Sequence, residues 1–124
     1  MTQLALACIV CESCPECPTP QTQGDWQAQG RFFLAPAGEF LSALDAAGLA
    51  GRGHPHPLST PVSADLLFED GDITGETLVK PAELPGLLAH APEDMHAPLR
   101  AWQAFAGALE ADGHDTRLII WFIR

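Results

Sequence analysis

Nearly unbroken apolar runs lie close to both ends of the chain and predict buried β-strands. Residues 4–10 (Leu-Ala-Leu-Ala-Cys-Ile-Val) are typical of a short strand that is covered on both faces. Residues 117–123 (Arg-Leu-Ile-Ile-Trp-Phe-Ile) are almost continuously hydrophobic, which predicts a central strand with both faces covered. Residues 31–34 (Arg-Phe-Phe-Leu) predict a further strand between these two.

Apolar residues recur at helical spacing in the middle of the chain. A helix over 37–47 is predicted after Pro36, because proline favours the first turn of a helix. A short helix is predicted after Pro81 for the same reason. A longer helix over 98–112 carries its apolar residues on one face, and Gly113 provides the C-terminal cap.

A β-hairpin is predicted between these helical segments. Residues 62–69 have strand character, Asp70-Gly71 is a strong turn signal, and residues 73–80 supply the partner strand. The resulting order β-β-α-β-β-α-α-β predicts a single α+β domain over residues 1–124. We expect a five-stranded mixed or antiparallel sheet with about three helices packed on it.

Two segments rich in glycine, proline or cysteine predict long loops. The first is a cysteine-rich loop over 8–29, in which Trp26 is expected to attach the loop to the core. The second covers residues 50–61 (Ala-Gly-Arg-Gly-His-Pro-His-Pro-Leu-Ser-Thr-Pro), which hold too much glycine and proline for regular structure.

Charge restricts the partners that the chain is expected to bind. Sixteen acidic residues against six basic ones give a formal net charge of −10, and the basic residues are scattered rather than clustered. Binding to nucleic acid or to an anionic membrane surface is therefore not expected, whereas a basic protein partner would be attracted. We predict a cytoplasmic location, because the short apolar start lacks a preceding basic residue and no apolar run has the length of a membrane span.

The cysteines are the clearest candidates for chemistry. All four recur at three-residue spacing, at Cys8, Cys11, Cys14 and Cys17. In a reducing compartment such a run favours thiolate ligands, and two Cys-x2-Cys turns supply the four ligands of tetrahedral zinc. Because only Glu12-Ser13 separates the two turns, three cysteines with one histidine are an easier arrangement. His54 and His56 in the second loop are the candidate donors.

The cysteine run with Pro18 also resembles the cluster-binding run of bacterial ferredoxins, C-x2-C-x2-C-x3-C-P. In this chain the last gap is one residue shorter, and there is neither a second run nor a distant cysteine. The resemblance implies an iron–sulfur cluster as an alternative to zinc. A third interpretation has no metal, with thiols that are free or joined in a disulfide.

No catalytic set is recognisable, because the serines lack a Gly-x-Ser-x-Gly setting and no phosphate-binding glycine loop follows a strand. We therefore predict a small acidic, non-catalytic binding protein, an adaptor or an inhibitor of the immunity type, with a cysteine-rich loop that binds zinc. The alternative hypothesis is a metal-dependent or redox-active protein that uses the CxxCxxCxxC run.

Overall fold

The computed structural model describes residues 6–15 and 26–124. Within these residues the chain is an α+β protein with the order β-β-α-α-β-α-α-β. One antiparallel sheet contains the strands β1 (Leu6–Cys14), β2 (Gln27–Leu34), β3 (Ile73–Val79) and β4 (Asp115–Ile123) in the order β2-β1-β4-β3. The helices are α1 (Gly38–Ala46), α2 (Thr60–Leu67), α3 (Leu84–His90) and α4 (His96–Ala111).

The centre of the sheet is the pair β1 and β4, which are in register from Leu6 opposite Ile123 to Cys14 opposite Asp115. Both strands are buried on both faces, as their apolar runs predict. Because side chains alternate along a strand, each strand contributes to two separate cores.

The larger core lies between the sheet and helices α1, α3 and α4. Aromatic rings join these elements: the ring of Phe40 in α1 lies 5.7 Å from that of Trp102 in α4 and 5.8 Å from that of Phe122 in β4. Such edge-to-face and tilted pairs add to the gain from burial. The helices predicted over 37–47 and 98–112 are therefore confirmed. None of the helices in the described part of the chain is long and apolar enough to cross a membrane.

The smaller core lies on the opposite face of the sheet, where α2 packs. The buried residues of this core are Cys8, Val10, Val62, Ile119 and Trp121.

The hairpin predicted over 62–80 is wrong, because its first half is helix α2. Ser59 has extended backbone and caps the helix, since its hydroxyl accepts a hydrogen bond from the N–H of Val62 at 3.4 Å. Pro61 then occupies the first turn, where its missing N–H costs nothing. The sheet of the described residues consequently has four strands rather than five, and there are four helices rather than three.

The first strand is longer than predicted. It continues to Cys14, so that Cys8, Cys11 and Cys14 lie in β1 and not in the loop that was predicted over 8–29. Trp26 precedes β2, and its ring lies 3.8 Å from the guanidinium carbon of Arg117 in β4. This contact places Trp26 against the sheet, and residues 16–25 of the predicted loop lie outside the described residues.

Residues 50–59, within the second predicted loop, contain no helix or strand and cover the outer edge of β3. The N–H of Gly53 donates to the carbonyl oxygen of Glu76 at 2.9 Å. The guanidinium of Arg52 donates to the carbonyl oxygen of Leu78 at 3.2 Å. The backbone of this edge strand is therefore partly shielded from pairing with another chain.

Candidate functional site

A cleft opens between α2 and the sheet, with a cavity of about 340 Å³. Its floor is apolar and comes from two pairs of facing residues in the central strands. Cys8 lies opposite Trp121, and Leu6 lies opposite Ile123. The cleft therefore has a rigid floor, because each floor residue belongs to a strand that is hydrogen-bonded along its whole length.

The walls of the cleft carry exposed aromatic side chains. Phe33 lies opposite Cys8 on β2 and is 55% exposed, while Phe68 directly follows α2 and is 77% exposed. Leu67, the last residue of α2, is 76% exposed but is not part of the cavity lining. Large exposed apolar side chains grouped around a cleft often mark sites of interaction.

The rim of the cleft is charged and has a negative balance. Arg31 of β2 forms an ion pair with Asp65 of α2, and both line the cavity. Glu69 also lines the cavity, and its carboxylate accepts a hydrogen bond from the N–H of Gly71 at 2.9 Å. The rim thus holds two carboxylates and one guanidinium.

The thiol of Cys8 is neutral at physiological pH. Burial, together with the nearby carboxylates of Glu69 and Asp65, raises its pKa to about 11, although Arg31 acts in the opposite direction. Since the thiolate is both the nucleophile and the metal ligand, this environment disfavours either role.

The cysteines predicted to share a metal lie on different sides of the sheet where the structure describes them. Cys8 belongs to the core beneath α2, and Cys11 to the larger core on the other face. Burial raises the pKa of Cys11 to about 11, with Glu12 and Glu110 adding to the rise. Cys14 is disulfide-bonded, and Cys17 lies outside the described residues.

The two candidate histidines lie in different environments. His54 is half-buried, with Nε2 at 2.8 Å from the carbonyl oxygen of Ile120 and Nδ1 at 3.3 Å from a carboxylate oxygen of Glu76. His56 is exposed. Across residues 6–15 and 26–124 no three side chains of His, Cys, Asp or Glu are grouped to hold a metal ion. Zinc or iron–sulfur binding by the cysteine run stays a prediction, which metal content and a free-thiol count would measure.

A buried ion pair was missed by the sequence analysis. The guanidinium Nε of Arg117 donates to Oε1 of Glu12 at 2.7 Å, and the two residues are 5% and 0% exposed. The other carboxylate oxygen of Glu12 accepts the N–H of Ser59 at 2.7 Å, and Nη2 of Arg117 donates to the carbonyl oxygen of Pro57 at 2.6 Å. The available signal was a charged residue next to each apolar run: Glu12 follows residues 4–10, and Arg117 begins residues 117–123.

Ser13 and His114 form a second polar contact between β1 and the chain before β4. The hydroxyl of Ser13 lies 3.1 Å from Nδ1 of His114 and accepts a hydrogen bond from the side-chain amide of Gln29 at 2.9 Å. Serine and histidine at this distance can form a nucleophile and its base. Ser13 is fully buried, however, so a substrate cannot reach its hydroxyl in this conformation.

Comparisons of the chain with protein-family models, with curated proteins and with solved structures found no match.

Proposed function

We propose that this chain is a small acidic, non-catalytic binding protein, and that its cleft receives an apolar, positively charged segment of a partner protein. The observation that carries the proposal is the exposure of Phe33 and Phe68 around an apolar floor. Fully burying one such side chain contributes roughly 1.5–3 kcal/mol. Covering these two would therefore supply a substantial part of a binding free energy, from which the cost of ordering the partner is subtracted.

Charge complementarity supports a basic partner. The chain has a formal net charge of −10, and at the rim of the cleft Asp65 and Glu69 outnumber Arg31. Because Arg31 already pairs with Asp65, Glu69 is the carboxylate best placed to meet a lysine or arginine of the partner. Attraction between opposite charges speeds association and weakens as salt is added.

The chemistry of the cleft supports binding rather than catalysis. The thiol in the lining of the cleft belongs to Cys8, and its pKa is raised to about 11, mainly by burial. Cys8 is 5% exposed, and a neutral, buried thiol acts as a small hydrophobic side chain and not as a reactive group.

The proposal is tested by selecting binders from a random peptide library displayed on phage, with the native protein as bait. We expect the enriched peptides to combine large apolar residues with lysine or arginine. A synthetic copy of the most enriched peptide is then titrated against the protein and two variants. Phe68→Ser should weaken binding about tenfold or more, as expected for an exposed anchor residue.

The matched control is Leu88→Ser, which removes an apolar side chain on the opposite face of the sheet, where Leu88 packs against the larger core. A second pair compares Glu69→Gln at the rim with Glu93→Gln, an exposed carboxylate in the turn before α4. Only Glu69→Gln should reduce the dependence of affinity on salt. Peptides that bind equally well to wild type and to Phe68→Ser, or a selection that enriches none, would overturn the proposal.

A further inference from the structure

The two outer edges of the sheet differ in how they are protected. The edge of β3 is covered by residues 52 and 53, which hydrogen-bond to its backbone. At the other end of the sheet, no segment within the described residues pairs with the outer edge of β2. An unpaired edge strand carries a row of backbone N–H and C=O groups that can pair with another strand.

Only part of β2 has the regular geometry that such pairing needs. Gly30 lies opposite Cys11 and Ala28 lies opposite Glu12, so Gln29 is an extra residue that forms a bulge. Bulges twist an edge strand and interrupt pairing. Residues 30–34 beyond the bulge follow β1 in unbroken register and are the segment available to a new strand.

Exposed aromatic side chains flank this segment on both faces of the sheet. On the face of the cleft these are Phe33 and Phe68. On the other face lies Phe105 of α4, which is 37% exposed and whose ring is 5.7 Å from that of Phe32. The ring of Phe105 also covers Gly30 closely, because a Cβ added at Gly30 would lie 2.8 Å from Cζ of Phe105. A strand added beside β2 would place alternate side chains against each of these two surfaces.

The charge of the chain selects the occupant. A second copy would bring together two chains that each have a formal net charge of −10, and this repulsion opposes self-association. An extended segment with lysine or arginine among apolar residues complements both the aromatic surfaces and the carboxylates of Asp65 and Glu69.

We propose that the partner segment binds as an additional β-strand on the outer edge of β2, beside residues 30–34. This inference rests on the proposed function and adds the conformation in which the partner is bound. Main-chain hydrogen bonds supply affinity in this mode of recognition, and alternate side chains supply specificity.

The test is an N-methylation scan of the selected synthetic peptide, with one backbone nitrogen methylated at a time. In an added strand every second N–H faces β2, so methylation should weaken binding about tenfold or more at alternate positions and little at the positions between them. A peptide bound as a helix would lose affinity at successive interior positions. Uniform loss, or no loss at any position, would overturn the inference.

A protein variant provides a second measurement. Phe105→Ser should weaken binding as Phe68→Ser does, because the added strand contacts both faces, and circular dichroism checks that the variant folds. Binding that depends on Phe68 but on neither Phe105 nor alternate N–H groups would leave the proposed function standing and remove strand addition. Binding that does not depend on Phe68 would remove the proposed function itself.

Discussion

Replacing Glu12 with leucine should destabilise the fold more than most single substitutions, because Glu12 neutralises a buried guanidinium. Arg117 is 5% exposed. In the Glu12→Leu variant its guanidinium loses the carboxylate that lies 2.7 Å from Nε. The N–H of Ser59, buried at the start of α2, loses its acceptor in the same change. Leucine fills a similar volume, so the effect is mainly electrostatic.

The expected magnitude follows from these two losses. Removing one partner of a buried ion pair costs about 3–5 kcal/mol, since the remaining charge is left without compensation. A typical domain unfolds with a free energy of about 5–15 kcal/mol, so the variant should lose a large share of its stability. Arg117→Met should have a comparable effect, because it leaves the carboxylate of Glu12 buried and unpaired.

The double variant Glu12→Leu/Arg117→Met makes the test specific. It removes both charges, so the remaining cost is the unsatisfied N–H of Ser59, about 1–3 kcal/mol, with the loss of the bond to Pro57. The double variant should therefore be more stable than either single variant. Urea unfolding followed by far-ultraviolet circular dichroism measures all four proteins. Losses that add within about 0.5 kcal/mol would refute the reasoning, because independent sites behave in that way.

Two further predictions concern the backbone and the thiols. Gly75 has a φ of +64°, and a Cβ there would lie 2.7 Å from Cδ1 of the buried ring of Phe122, so Gly75→Ala should cost about 1–3 kcal/mol in urea unfolding. The control is Gly107→Ala in α4, where an added Cβ would have no heavy atom within 4 Å. This substitution should instead stabilise the protein by up to about 1 kcal/mol, and a loss of stability would contradict this account. A small methanethiosulfonate reagent should modify native Cys8, which lines the cleft, faster than Cys11, which is 0% exposed. Both rates should rise as pH approaches about 11, the pKa to which burial raises each thiol, and equal rates would argue against the described exposure.

The fold was predictable where the sequence carries a continuous apolar run or a helical period. The central strands β1 and β4 have nearly unbroken apolar runs, the helices α1 and α4 have regular apolar spacing, and the structure confirms all four. The helix α2 was not predicted, because its apolar residues resemble those of a strand. Val62 is the buried residue of this helix, so burial along α2 shows no helical period. The capping signal of Ser59 and Pro61 was present, but the apolar residues that follow outweighed it.

The candidate site could not be predicted, because its parts are distant along the chain. The cleft combines Cys8, Phe33, Phe68 and Trp121, and only the pairing of β1 with β2 and β4 brings them together. The regular spacing of the cysteines favoured a common ligand. Binding of one ion requires turns between the cysteines, whereas Cys8, Cys11 and Cys14 lie in an extended strand, in which a spacing of three alternates between faces.

The buried ion pair and the cleft are parts of one arrangement, although they share no residue. A helix of eight residues with one buried side chain gains little stability from its own packing, and short helices are marginal in water. Glu12 accepts the N–H of Ser59, and the hydroxyl of Ser59 caps α2 through the N–H of Val62. The carboxylate of Glu12 therefore fixes where α2 begins, and α2 in turn carries Phe68 at the wall of the cleft. This connection gives a physical reason for a buried charged pair within the mostly apolar central strands: the pair positions a short helix that packing alone would hold weakly.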